Sequence, residues 1–193
     1  SGERVRKIRG GLLKGLYFPI DLRTEFQIYL GTWEHENHDW IRKLTADIKT
    51  FVDVGASTGL FSLYGALKTS ADVVLAFEPQ KDLHDRFELA LEENGVGKNG
   101  GISLLPHKIG SQSKSGGRKL DSFQSDIKFP CFIKIDVDGG EAEVLRGSKD
   151  LLREGDVRLV VETHSEELEN ECVDILENWG YQITVIDNAW WRM

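Results

Sequence analysis

Phe51-Val52-Asp53-Val54-Gly55-Ala56-Ser57-Thr58-Gly59 is the stretch from which the rest of the chain is read. Phe51, Val52 and Val54 make a short β-prone apolar run, and glycines then break it. Leu60-Phe61-Ser62-Leu63-Tyr64-Gly65-Ala66-Leu67 follows with the composition of a buried helix. Strand, glycine turn and helix in that order form the mouth of a nucleotide-type cofactor site. Gly55 lets the chain turn without a Cβ clash, and Gly59 lets the helix pack close to a ligand. The next apolar run, Val73-Val74-Leu75-Ala76-Phe77, ends in Glu78-Pro79. A carboxylate about 20 residues beyond a glycine turn suits hydrogen bonds to two ribose hydroxyls.

The kind of nucleotide can be narrowed. A dinucleotide fingerprint wants Gly-x-Gly-x-x-Gly, because the backbone must approach a pyrophosphate closely; here Ser57 stands at the second glycine. A phosphate-binding loop needs Gly-Lys-Ser/Thr, where this chain has Leu60 and Phe61 nearby instead. A loop that meets a ribose and a short charged tail, with no diphosphate to cradle, fits S-adenosylmethionine. A lone Gly-x-x-x-Gly is more often a plain strand-to-helix turn; the preceding strand and Glu78-Pro79 shift the balance to a cofactor site.

The chain has 193 residues, 40% of them hydrophobic, which is one domain with enough apolar content for a core. Its formal charge of −8 argues against a broad phosphate-binding surface and so against nucleic acid as a general partner. Cys131 and Cys172 form neither a metal-ligand spacing nor a disulfide framework and read as reduced core residues. No apolar run reaches membrane-spanning length, and the expectation is a soluble, cytoplasmic protein with no stable membrane insertion.

Residues 1–47 read as an N-terminal arm and cap, and 48–193 as the main domain. The arm carries Arg4, Arg6, Lys7, Arg9 and Lys14 among Val5, Ile8, Leu12 and Leu13, and Gly10-Gly11 weakens any continuous helix there. Tyr17–Ile20 and Phe26–Leu30 look like short extended pieces, and Trp40, Ile41 and Leu44 mark a helix ending near Ala46. His35-Glu36-Asn37-His38 lacks the His-Glu-x-x-His spacing of a zinc protease. Leu83, Phe87, Ala90 and Leu91 recur at helical spacing, Ile102–Leu105 is a third strand, and Gly110–Arg118 is a loop of flexible composition. One helix is expected over Glu141–Arg153, and another after the N-cap Ser165 with Leu168, Cys172, Ile175, Leu176 and Trp179 inward. Tyr181–Ile186 and Ala189–Met193 read as a terminal hairpin. Strands alternating with helices imply a parallel sheet, to which the hairpin would add an antiparallel strand.

A second stretch, Cys131-Phe132-Ile133-Lys134-Ile135-Asp136-Val137-Asp138-Gly139-Gly140-Glu141, carries charge on a strand. Alternation puts Lys134, Asp136 and Asp138 on one face and Ile133, Ile135 and Val137 on the other. Charges on an otherwise buried parallel strand are expensive unless they face a cleft or each other. Ligands of open α/β sheets bind beyond the carboxyl ends of the strands, where Asp136 and Asp138 lie. Val157–His164 repeats the device, an apolar strand ending in Glu162 and His164 on one face, with His164 either a general base or a hydrogen-bonded strand end. The oxygen ligands do not continue as an EF-hand requires, and the spacing of Asp136, Glu162 and His164 gives a metal little support, so none is expected.

These residues resemble the FkbM family of S-adenosylmethionine-dependent methyltransferases. The match runs through Asp53-Val54-Gly55-Ala56-x-x-Gly59, Phe77-Glu78-Pro79, Lys134-Ile135-Asp136-Val137-x-Gly139-x-Glu141 and Val161-Glu162-x-His164. The first two motifs are common to many methyltransferases; the third is the specific one. Two departures stand out: Ser57-Thr58 replaces the usual Asn and small residue, and Gly110–Ser122 is shorter than the family's segment. The resemblance implies an α/β Rossmann-like class I methyltransferase: a mostly parallel seven-stranded sheet, helices on both faces and a C-terminal antiparallel hairpin. It also implies methyl transfer to a hydroxyl of a sugar or other small-molecule acceptor.

The expected cofactor-binding set is Asp53, Gly55, Ala56, Ser57, Thr58, Gly59, Glu78, Pro79, Ile109 and Asp136, with S-adenosyl-L-methionine as cofactor. Asp136 and His164 are the candidate bases, and Lys134 and Glu162 orient the acceptor. Two other classes compete: an inactive S-adenosylmethionine-binding domain, which has no need of Asp136 and His164, and a nicotinamide-dependent oxidoreductase, which lacks its second glycine here.

Overall fold

The computed structural model describes residues 2–97, 100–111 and 117–186. The central strand β3 (Thr50–Val54) is buried along its whole length. Its alternation builds the molecule in layers, because Val52 and Val54 enter one apolar cluster while Phe51 enters another on the opposite face. Around it stand β4 (Val73–Phe77), β5 (Ile102–Leu105), β6 (Cys131–Asp136) and β7 (Val157–Glu162), in the order β5-β4-β3-β6-β7. Every pairing is parallel, with Asp53 opposite Lys134 and Asp136 opposite Glu162. The strand order reverses between β3 and β6, which opens a crevice at their carboxyl ends.

One face is covered by α5 (Glu141–Arg146), α6 (Lys149–Glu154) and α7 (Glu166–Asn178), whose Leu145, Leu151, Cys172 and Leu176 pack on Ile133 and Ile135. The other is covered by α3 (Leu60–Lys68), with the Phe51 and Phe132 rings packed at a tilt, 5.0 Å between centroids. The helix α4 (His84–Glu93) buries Phe87 and Ala90 as its spacing requires. Ser165 caps α7 by accepting from the Leu168 amide.

The N-terminal arm is no loose appendage. The antiparallel pair β1 (Glu3–Lys7) and β2 (Tyr17–Asp21) forms a separate two-stranded sheet, and Ile8, Leu13, Phe18 and Ile20 are buried in the same cluster as Phe51 and Phe132. Arg86 of α4 pins this arm through Glu25 at 2.7 Å and the Pro19 carbonyl at 2.6 Å. The helix α2 (His38–Leu44) lies where Trp40, Ile41 and Leu44 place it.

The structure departs from the sequence reading in four places. Phe26–Leu30 is a helix (α1), closed by Gly31 in the left-handed region, so the tertiary setting overrides its β-prone composition. The helix expected over Glu141–Arg153 is two helices, because the chain breaks at Gly147-Ser148 and the Ser148 hydroxyl donates back to the Val144 carbonyl. The parallel sheet has five strands rather than seven among the described residues. Tyr181–Ile186 is not a strand of that sheet; it is anchored through Tyr181, whose hydroxyl donates to the Leu152 carbonyl at 2.7 Å. The second half of the expected hairpin, Ala189–Met193, lies outside the described residues, as do residues 112–116 of the Gly110–Arg118 loop.

Candidate functional site

The glycine turn leaves β3 at Gly55, with φ 85°. A Cβ at Gly55 would run into the Asp136 carbonyl oxygen, so β3 and β6 approach this closely only with glycine there. Ser57 also has positive φ, 51°, a strained setting for a serine, and its amide donates to Glu78 Oε2 at 2.8 Å. The Gln80 amide donates to Glu78 Oε1, also at 2.8 Å. Glu78 is therefore held by one backbone amide on each oxygen, and each oxygen keeps a lone pair for a ligand hydroxyl.

These parts line a cleft of about 480 Å³ together with Pro79, Ile109, Asp136, Asp138 and Gly139. That volume lies within the usual range of small-molecule sites. Gly55, Ser57, Glu78, Pro79, Ile109 and Asp136 thus meet at one place, whereas Asp53, Ala56, Thr58 and Gly59 do not line the cleft. Gly59 serves helix packing instead. A Cβ on it would strike the Phe87 ring, so the glycine lets α3 pack against α4 rather than against a ligand. His107 and Lys108 line the cleft as well, and only their adjacency to Ile109 in sequence hints at them.

Asp53 belongs to a different constellation. Its carboxyl is buried, accepts from the Ser62 hydroxyl at 2.6 Å, and is pushed up to about 6 by burial, against the pull of Lys134. Lys134, 2% exposed, has its ammonium 2.8 Å from Asp136 Oδ2, 3.6 Å from Glu34 Oε2 and 4.6 Å from the Phe61 ring centroid. Burial alone would favour neutral lysine, but Glu34, Asp136 and Asp53 outweigh it and raise the ammonium's affinity for its proton.

Glu34 is not legible in the sequence as a site residue. It is 2% exposed, sits at φ 48°, and accepts from Trp33 Nε1 at 3.0 Å. Burial raises its carboxyl above the usual range. Glu34 thus brings a buried acid on a positive-φ backbone from the N-terminal segment to a lysine of the sheet. No motif surrounds Glu34, so only the folded chain reveals it.

His164 lies just past β7. Its Nδ1 is 2.6 Å from Glu141 Oε1 and its Nε2 3.8 Å from Asp136 Oδ1. Glu141, fully buried at the start of α5, raises the His164 pKa through that bond. With Glu141 ionised, Nδ1–H donates to it and Nε2 is turned toward Asp136. Glu141 closes the Lys134–Glu141 motif, so the sequence holds it without disclosing its partner. Glu34, Asp136 and Glu162 bring carboxylate oxygens within 4.8 Å of one another, an arrangement compatible with a cation, and the Lys134 ammonium already stands between two of them.

Residues 117–183 match the methyltransferase FkbM domain, a span that contains both the Lys134–Glu141 motif and His164, and the resemblance to that family is borne out. No curated protein matches the sequence. Among solved structures, methyltransferase FkbM from Methylobacillus flagellatus shares 23% identity over 68% of this chain and 38% of its own, with a TM-score of 0.55. The C-terminal domain of precorrin-6Y C5,15-methyltransferase from Rhodobacter capsulatus gives 15% identity, 79% and 74% coverage and a TM-score of 0.56. Trm5b from Pyrococcus abyssi gives 12%, 93%, 48% and 0.53. The chain therefore spans well under half of the Methylobacillus protein. The fold is that of Rossmann-like class I methyltransferases, and among the described residues no helix is long and apolar enough to cross a membrane.

Proposed function

From a chain that matches the FkbM methyltransferase domain and has a class I methyltransferase fold, we propose that it transfers a methyl group from S-adenosyl-L-methionine to a hydroxyl of a small-molecule acceptor. The observation that carries this reading is the convergence of the Gly55 turn, the doubly anchored Glu78 and Asp136 on one cleft. The residues present fit the cofactor: Glu78 keeps acceptor capacity for two ribose hydroxyls, Ile109 offers an apolar wall for the base, and Gly55 lets the backbone come close. When bound, the cofactor supplies a methyl group already activated on a sulfonium.

The protein's own work is then alignment, exclusion of water and removal of one proton. His164 Nε2 takes the acceptor hydroxyl's proton, while Glu141 fixes the tautomer and stabilises the imidazolium. Asp136 lines the cleft and faces His164, and would help hold the cofactor there. Lys134 keeps Asp136 and Glu34 in place as a buried countercharge and, with Glu162, sets the acceptor's position. Residues 2–47 serve as a cap that carries Glu34 over the strand ends. The abundance of carboxylates here and the charge of −8 favour a small acceptor over a nucleic acid.

Calorimetric titration with S-adenosylmethionine, S-adenosylhomocysteine and NAD, on wild type and Glu78→Ala, tests the reading. The first two should bind, and the variant should bind them roughly 10- to 100-fold more weakly, for loss of two charge-assisted hydrogen bonds. Binding of NAD alone, or of nothing, would sink it.

A further inference from the structure

His38 is a buried histidine with no part in the mechanism above, yet both of its ring nitrogens are engaged. Nδ1 accepts from the Leu12 amide at 3.3 Å, and Nε2 lies 2.9 Å from the Trp33 carbonyl oxygen. We propose that neutral His38 positions Glu34 by locking the Trp33–Glu34 peptide, and that protonation of its ring unlocks that peptide, whatever reaction Lys134 serves.

The two partners fix the tautomer. A backbone amide can only donate and a carbonyl can only accept, so Nδ1 carries the lone pair and Nε2 the proton. The Trp33 carbonyl belongs to the peptide plane whose rotation is the φ of Glu34. Holding that oxygen therefore holds Glu34 at φ 48°, a setting a glutamate keeps only when its surroundings impose it. From there Glu34 Oε1 accepts from Trp33 Nε1 at 3.0 Å, and Oε2 lies 3.6 Å from the Lys134 ammonium. His38 touches neither Lys134 nor the cleft; it acts through Glu34 and is a positioning residue.

The seat of the ring has little room to spare. A Cβ on Gly31 would strike the Gly10 carbonyl, and one on Gly11 would press on His38 Cε1. Gly10-Gly11, which interrupts the basic arm in the sequence, is thus where the arm crosses the segment that carries Glu34. With His38 protonated, the bond to Trp33 survives, but Nδ1–H faces the Leu12 N–H, donor against donor, and a charge stands in a site only 5% exposed. The ring escapes both penalties by leaving Leu12, and the Trp33 peptide moves with it.

Burial holds the His38 pKa below the ordinary histidine value; His35 and Arg42 add to that, against the Trp33 carbonyl and Glu36. The other charged groups nearby on these segments are turned elsewhere, Glu34 to Lys134 and Arg9 to the Tyr29 ring. The stability that the neutral seat contributes is fully present above the ordinary histidine pKa and is lost as pH falls from there through the lowered one.

An NMR pH titration of wild type, His38→Gln and Glu34→Gln tests the proposal. It follows the His38 ring, the Trp33 indole N–H, and the exchange rate of the Leu12 amide corrected for its intrinsic pH dependence. In wild type His38 should titrate below the ordinary histidine value. At the same midpoint Leu12 exchange should rise roughly tenfold, for loss of one hydrogen bond, and the Trp33 indole resonance should shift. A glutamine at 38 offers an oxygen to Leu12 and an N–H to Trp33 but takes no proton, so His38→Gln should keep Leu12 protected and lose the step. In Glu34→Gln the coupled step of His38 and Leu12 should persist. His38 titrating at or above the ordinary value, or Leu12 protection unchanged at the His38 midpoint, overturns the proposal. So does a step that survives in His38→Gln or vanishes in Glu34→Gln, because the titrating group is then His35 or Glu34. Should His38→Gln fail to fold, the wild-type midpoints decide: coincidence of all three supports the proposal and divergence overturns it.

Discussion

The two ends of the crevice are built on opposite principles. The cleft at the Gly55 turn is made of backbone: a glycine turn, the Ser57 and Gln80 amides, and one carboxylate, Glu78, that those amides orient. Its parts come from one β-α-β unit and lie close in sequence. The other end is made of side-chain charge: Glu34 from the N-terminal segment, Asp53 from β3, Lys134 and Asp136 from β6, Glu141 from α5, and His164 beyond β7. Local geometry is sufficient for the first. The second exists only when distant segments are packed together, and its buried charges are tolerable only because they offset one another.

Removing the central cation tests that offset most severely. Lys134→Met should leave the buried acids Glu34 and Asp53 and the half-buried Asp136 without their cation, costing about 3–5 kcal/mol of stability, read as a fall in Tm of roughly 10 °C or more. Adding Glu34→Gln should recover part of the loss. If Lys134→Met is as stable as wild type, the cluster is not the mutually balanced unit described here.

A large side chain at the backbone end probes the other region. Gly55→Val forces a branched side chain onto a left-handed backbone and into the Asp136 carbonyl. S-adenosylmethionine affinity should fall by roughly 100-fold or more, equivalent to about 3 kcal/mol. The contrast sharpens if His164 keeps its raised pKa, followed by NMR titration, while cofactor binding is lost. It breaks if that pKa moves too, because the two ends would then be one strained unit.

The smallest effect separates the roles of Glu141 and His164. Glu141 raises the His164 pKa, so Glu141→Gln should lower it and move the ascending limb of the rate–pH profile to lower pH. The stability drawn from the charged pair is fully present below the ordinary histidine pKa and lost as pH rises through the raised one. The variant should therefore be most destabilised in mild acid and least at alkaline pH. A profile that does not move would reduce Glu141 to a structural anchor.

How much of this is readable in the sequence follows the same division. The strand-turn-helix, Glu78 and the Lys134–Glu141 motif are legible, because each is a local pattern whose spacing carries its meaning. Phe26–Leu30 reads as extended, wrongly, because a five-residue apolar run has no periodicity long enough to separate helix from strand. Asp53 and Gly59 take a cofactor role from their place in a motif, yet one faces Ser62 and Lys134 and the other the Phe87 ring.

By itself the amino-acid sequence determined the alternation of strands and helices, the glycine turn at the end of β3, and the presence of charge on β6, since these follow from residue type and spacing along one short segment. Tertiary structure alone decided that Glu34 would meet Lys134 and that Glu141 would hold His164. Those contacts join residues with no shared local pattern, and burial, which gives their charges their energy, does not exist until the chain is folded.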